Sequence, residues 1–156
     1  MLGGGGPYTL LRPHRGPGEA YLGATPDGQL CVVQILPPAP AAASREARAR
    51  LQDAGRELSA AHSPALVRLI DVGTAPEGMF VAREYVPGRD WQEVQGHARE
   101  RGIAIPPSLQ LYVAREAARA LSVLGVLYRM DRGLHGHGAV CAANLLCGWD
   151  GSVKLA

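Results

Sequence analysis

The sequence predicts an α+β fold built on an antiparallel sheet, and three observations carry that expectation. Short strand-like runs follow one another near the start, separated by a Gly/Pro loop and by the turn Thr25-Pro-Asp-Gly28. An amphipathic stretch of about twenty residues begins near Ser108. Two apolar runs close the chain around Trp149-Asp-Gly-Ser152, where Asp-Gly is a strong hairpin signal.

In order, Met1 to Pro7 is a glycine run with too little side chain to pack, and is expected to be flexible. Tyr8–Leu11, Ala20–Ala24 and Leu30–Leu36 read as three antiparallel strands. Pro37–Ala43 is a linker stiffened by proline. Ser44 can cap a helix from about Arg45 to Ala61, with Ala47, Leu51, Ala54 and Leu58 at helical spacing. Leu66–Val72 and Met79–Val86 are two further strands around the turn Gly73–Gly78, closed by Pro87-Gly88. Trp91–Arg101 is a short helix stopped by Gly102. After Pro106-Pro107, Ser108 caps the long helix to Tyr128, with Leu109, Tyr112, Val113, Ala117, Ala120, Leu121, Leu124 and Leu127 at its apolar spacing. His135–Ala156 then reads as loop, strand (Asn144–Cys147), turn and strand (Val153–Ala156).

The 156 residues suit one domain with a sizeable core. Sixteen basic and fourteen acidic residues are mixed along the chain, so no basic block points to nucleic acid. No apolar run reaches the 18 or so residues of a membrane span, and no signal peptide is evident. Cys31, Cys141 and Cys147 are odd in number and irregularly spaced, which suits a reducing cytoplasm better than a disulfide framework. Lys154 is the only lysine, so lysine chemistry in the first half of the chain is excluded. His135, His137, Cys141 and Cys147 match no common zinc spacing, and no metal site is expected. A Gly-x-Ser-x-Gly elbow is absent, and a dinucleotide loop at Gly16 and Gly18 fails because a strand follows it.

Five segments, in order, resemble a protein kinase domain of the bacterial Hanks Ser/Thr type. They are Glu19–Leu22, Cys31–Leu36, His62–Gly73, Phe80–Gly88 and the loop-hairpin from His135. The resemblance implies a kinase-like smaller lobe over residues 8–86, an antiparallel sheet with one helix. Residues 87–156 would be the first helices and β-hairpin of the larger lobe. It also implies that the family would continue beyond Ala156 into D-F-G, so the larger lobe is expected to be partial.

Laid on the family's catalytic loop, His137 takes the histidine position and Asn144 the metal-binding asparagine, while the position of the catalytic aspartate holds Ala139. The lysine that pairs with the phosphates aligns with Gln34, which can donate a hydrogen bond but has no charge. The three phosphate-loop glycines align with Pro13, Arg15 and Gly18, with Gly16 just inside; an ordinary strand-connecting loop explains this stretch equally well. Glu84-Tyr85-Val86 resembles the segment that recognises adenine, preceded by Arg83 where the family usually has an apolar or small residue. A buried arginine is costly, so Arg83 either pairs with an acid such as Glu57 or fills the pocket. Gly16, Gly18, Gln34, Glu84, Val86 and Leu146 form the implied, degenerate nucleotide pocket; Ala20, Val32, Val86 and Leu146 serve equally as plain apolar core.

The implied function is a catalytically inactive kinase-like domain that binds a protein in bacterial signalling, with no cofactor. The alternative is a fragment of an active Ser/Thr kinase, or an atypical one, that binds ATP and magnesium. In the family the long helix is covered by later helices. Its apolar residues spread over more than one stripe, so a partner protein or a second copy is expected on Leu109–Tyr128.

Overall fold

A computed structural model describes residues 7–15, 18–36, 49–50, 52–55, 59, 63–75, 78–130 and 137–156. The expected flexible start (1–6), the proline linker (37–43), most of the helix from Arg45, and Gly16, Glu57 and His135 lie outside the described residues. The chain divides into two compact units, Met1–His62 with Arg68–Tyr85, and Ser63–Val67 with Val86–Ala156.

The first unit is a five-stranded antiparallel sheet in the order β1-β2-β3-β5-β4. Its strands are β1 (Thr9–Pro13), β2 (Glu19–Ala24), β3 (Leu30–Leu36), β4 (Leu69–Ala75) and β5 (Gly78–Glu84). Thr25–Gly28 turns as expected. Gly28 takes φ +84°, a left-handed value natural to glycine, and its N–H donates to the Thr25 carbonyl at 2.9 Å. The expected strand from Leu66 starts instead at Leu69 and runs on to Ala75. Leu66 is held by a parallel bridge to Leu155 in the second unit, which takes the Leu66–Arg68 stretch out of the sheet.

Both faces of β3 are covered, which is why Cys31, Val32 and Val33 are all buried despite the two-residue alternation of a strand. One face carries the core cluster Tyr8, Cys31, Val33, Phe80 and Ala82, with the Tyr8 and Phe80 rings edge to face at 5.6 Å. Residues 49–50, 52–55 and 59 are helical. Gly55 lies so close to Val72 that an added Cβ would sit 2.7 Å from a Val72 methyl, so its missing side chain lets helix and β4 touch.

The second unit holds β6 (Gly88–Asp90), α1 (Trp91–Glu100), α2 (Pro107–Met130), β7 (Leu145–Gly148) and β8 (Val153–Leu155). The last two strands pair with β6 in the order β6-β7-β8. Asp90 caps α1 by accepting the Glu93 N–H at 2.8 Å, and Gly102 at φ +64° closes it. Helix α2 begins one residue before the expected cap, Ser108. Pro107 fits the first helical position because its fixed φ is helical and its missing N–H has no partner there. The Pro106 carbonyl accepts the Leu109 and Gln110 N–H groups. The buried side of α2 is Val113, Glu116, Ala120 and Leu124, whereas Leu109, Leu111, Leu121 and Val126 are exposed. Its neighbour is β8, and the Tyr112 hydroxyl donates to the Gly151 carbonyl at 2.9 Å. Among the described residues no helix is long and apolar enough to cross a membrane.

Candidate functional site

The loop before β7 is organised by three residues singled out in the sequence. A 3-10 turn over Ala142–Asn144 forms as the Asn144 N–H donates to the Cys141 carbonyl at 3.1 Å. That turn aims the Asn144 amide back along the loop, where Nδ2 donates to the Ala139 carbonyl at 2.7 Å. The Asn144 carbonyl in turn accepts the Ala156 N–H at 2.9 Å. His137 closes the ring of contacts. Its Nε2 lies 3.1 Å from the Ala156 carbonyl, and its Nδ1 lies 3.3 Å from the Ala139 N–H.

One protonation state satisfies both contacts. The neutral ring with its proton on Nε2 donates to Ala156 and accepts from Ala139. His137, Ala139 and Asn144 are therefore brought together as a loop tied to the end of β8. Ala139 is exposed and presents only a methyl group, which can neither accept nor orient a proton. Cys141, in the position where many Ser/Thr kinases carry lysine, is exposed with a free thiol.

The residues implied for a nucleotide divide between the units. In the first, pairing of Ala20 with Gln34 and of Gln34 with Val81 puts these three on one sheet face, together with the paired Val32 and Arg83. Gln34 is half-buried at the centre of that face. Gly18 takes φ +71° and has nothing within 4 Å of an added Cβ, so its backbone is open to close approach. Pro13 ends β1, and the His14 N–H donates to the Ala20 carbonyl at 2.8 Å, folding the loop so that the His14 ring meets Tyr85 edge to face at 6.0 Å. Glu84 serves the strand ends: its Oε1 accepts the Arg68 N–H at 3.0 Å and its own N–H donates to the Arg68 carbonyl at 2.9 Å. Val86 and Leu146 belong to the second unit, where Leu146 pairs with Asp90 and Lys154.

Burial pulls the Arg83 guanidinium below its ordinary value. The predicted partner, Glu57, lies outside the described residues. For magnesium, the described loop residues offer one side-chain oxygen, that of Asn144, and no carboxylate. Among the described residues no three His, Cys, Asp or Glu side chains gather as a metal cluster. That donor set does not fit a hard divalent cation.

Sequence reasoning missed two features. Strand β6 is three residues long, too short for any periodicity to reveal. Glu116 is buried beneath two guanidinia: Arg115 Nη2 at 2.8 Å and Arg119 Nη1 at 3.1 Å. Burial works to raise its carboxyl, but the hydrogen bonds and charges of Arg115 and Arg119 prevail and hold it low. The i,i+3 spacing of Glu116 and Arg119 is readable in the sequence; the burial is not.

No protein-family model matches the chain, and no curated protein sequence matches it. Solved structures do. The kinase domain of Mycobacterium tuberculosis PknI superposes on 96% of this chain with a TM-score of 0.74 and 26% identity. A single-substitution form of that domain gives a TM-score of 0.71 at 28% identity, again over 96% of this chain. The chain spans 57% and 58% of the length of those two domains. With the strand order, the helix on β4 and the loop ahead of the closing hairpin, these likenesses establish that the chain has a protein kinase-like fold of the bacterial Hanks Ser/Thr type.

Proposed function

We propose that this kinase-like domain is catalytically inactive and acts by binding a protein partner. The observation that carries the reading is a loop whose supporting bonds are complete around a position that cannot do the chemistry. His137 and Asn144 hold Ala139 in place, and Ala139 has no group to accept the substrate proton. Gln34 adds a second loss, because a neutral amide replaces the charge that would steady the phosphates. Losing either group typically lowers a rate by orders of magnitude. The nucleotide pocket is read as degenerate for the same reasons, with no cofactor required.

The surface offered to a protein is α2, where Leu109, Leu111, Leu121 and Val126 stay exposed along a helix whose other side is packed. Free thiols at Cys31, Cys141 and Cys147 suit a cytoplasmic setting. The second reading is an atypical Ser/Thr kinase that still binds ATP, favoured by the retained Asn144 and its geometry.

The test is transfer of labelled phosphate from Mg-ATP to the chain itself and to a generic Ser/Thr substrate. Incorporation no greater than that of a heat-denatured control is expected, and turnover clearly above it would overturn the inactive reading. Light scattering after gel filtration, on the chain and on Leu111→Glu, tests the surface. Association that the substitution abolishes supports it, and a monomer that captures no protein from a cognate lysate counts against it.

A further inference from the structure

We propose that the outer face of α2 seats an acidic amphipathic helix of a partner protein, packed along the seam Leu111, Ala114, Ala118, Leu121 and Gly125. This rests on the protein-binding reading of α2 and names the class of partner. The five positions recur at spacings of three, four, three and four residues, the heptad pattern that lines one helix against another. By helical geometry they lie about 130° round from the packed stripe of Val113, Ala120 and Leu124. The helix therefore carries two apolar stripes, and its own unit covers one.

The second stripe is open and dry. Leu111 is 71% exposed and Leu121 39%, with exposed Ala114 and Ala118 between them. A Cβ added at Gly125 would meet nothing within 4 Å. Ser122, beside the seam, turns its hydroxyl back to donate to the Ala118 carbonyl at 3.0 Å, so it asks nothing of a neighbour. Small residues between two leucines let a second backbone come close while the leucines fill its grooves. A lipid surface would instead favour large apolar side chains along the whole stripe.

Charge selects the occupant. The one acid of α2, Glu116, lies inward with its side chain 11% exposed, whereas Arg115 and Arg119 are 57% and 62% exposed. A single carboxylate thus answers two guanidinia, and the outward charge of α2 between Leu111 and Gly125 is positive. Arg115 flanks the seam directly, in the row that sets partner choice between paired helices. It is also anchored, because its guanidinium lies 5.0 Å from the centroid of Tyr112, whose hydroxyl is bonded to Gly151. Such pre-positioning lowers the entropy lost when a carboxylate docks. A second copy of the chain would bring the same seam but no outward carboxylate from its α2. A separate helix with acidic flanks supplies one.

The test is a displayed library of single helices about three heptads long, with seam positions drawn from apolar residues and flanking positions from Glu, Gln and Lys. It is selected against the full chain in low salt. Binders enriched in Glu at the flanks are expected. Their affinity should fall about tenfold or more with Ala118→Trp, which fills the close approach. It should fall about two- to fivefold with Arg115→Gln, and again in high salt. Leu111→Ala is the second seam variant, and unchanged thermal melts show that each variant is folded. Binders with Lys or Gln at the flanks overturn the acidic partner and leave α2 standing as a protein surface. If no binder responds to Ala118→Trp or Leu111→Ala, the seam itself is overturned. Self-association abolished by Ala118→Trp would assign the seam to a second copy. Binding to phosphatidylglycerol vesicles abolished by Leu111→Glu would assign it to lipid. Either result overturns the proposal.

Discussion

Gly73 offers the sharpest test of how the first unit is packed. It pairs with Phe80 across β4 and β5, and a Cβ there would lie 2.5 Å from Phe80 Cζ and 2.7 Å from Cε1. Ordinary carbon contacts are about 3.5–4.0 Å, so in Gly73→Ala the ring must retreat by roughly 1 Å. It has little room, because Phe80 is 2% exposed and its ring is held by the edge of Tyr8 at 5.6 Å. Overpacking of this kind costs about 1–3 kcal/mol, and alanine recovers roughly 0.5–1 kcal/mol through the smaller backbone entropy lost on folding. A clash this close belongs in the upper half of that range, so a net loss of about 1–2.5 kcal/mol follows. Trp91 and Trp149 both lie in the second unit, so the readout is hydrogen exchange of the β4 and β5 amides against denaturant. In a Phe80→Leu background the same substitution should cost at least about 0.5 kcal/mol less, because the clashing ring is gone. The packing argument fails if Gly73→Ala is neutral within about 0.5 kcal/mol, or if the two changes are additive.

The remaining predictions concern the loop, the second sheet and pH. Gly88→Ala should unravel the β6–β7 pairing: its Cβ would overlap the Cys147 carbonyl and lie 2.9 Å from Gly148 Cα, a backbone clash that no rotamer relieves. A cost at or above the usual 1–3 kcal/mol, roughly, is expected from urea unfolding followed by Trp149, and a neutral variant would refute it. His137→Ala removes both contacts of the ring and should cost about 1–2 kcal/mol. Asn144→Ala should cost about 1 kcal/mol, through its bond to the Ala139 carbonyl. Each variant should speed exchange of the Ala156 or Ala139 amides, and unchanged protection would show that the loop is held otherwise. Burial raises the Cys31 and Cys147 thiols above their ordinary 9.0, and burial with the neighbouring Asp71 charge raises Tyr8. The folded state then keeps protons that the unfolded chain gives up. Stability should be flat at neutral pH and fall as pH climbs through the ordinary thiol range, and Cys31→Ala should flatten that fall. Iodoacetamide should modify exposed Cys141 first and buried Cys31 last.

Much of the fold was readable because its elements carry local signals. The Asp-Gly turns, the glycine after α1 and the long apolar periodicity of α2 each act within a few residues, and each ends up where the pattern put it. The errors came from contacts distant in sequence. Val67 donates to the Leu155 carbonyl and Leu155 to Ala65, and that pairing draws Leu66 out of the strand its composition suggested. Strand β6 exists only because β7 is there to pair with it. The site shows the same division. Ala139 and Gln34 were visible as residue types at spaced positions. The bonds that make His137 a tie rather than a spare histidine run to Ala156, 19 residues away.

The loop geometry bears on what the altered positions mean. A catalytic loop that had merely drifted would be expected to lose its supports along with its base, since each support alone is worth only about 1 kcal/mol. Here the supports remain and their hydrogen-bond demands close on one another. Ala139 receives a donor at its carbonyl and offers its N–H to His137, and Ala156 is held at both its N–H and its carbonyl. None of these bonds uses a side chain at position 139, so the loop's shape is independent of the residue that would do chemistry there. Ala139→Asp would thus place a carboxylate in a frame already built for it, without repairing Gln34. A transfer rate at background in that variant would show that a carboxylate at position 139 is not by itself sufficient for transfer. Recovery in Ala139→Asp with Gln34→Lys, but in neither alone, would show that the frame had been kept whole while two of its working groups were exchanged.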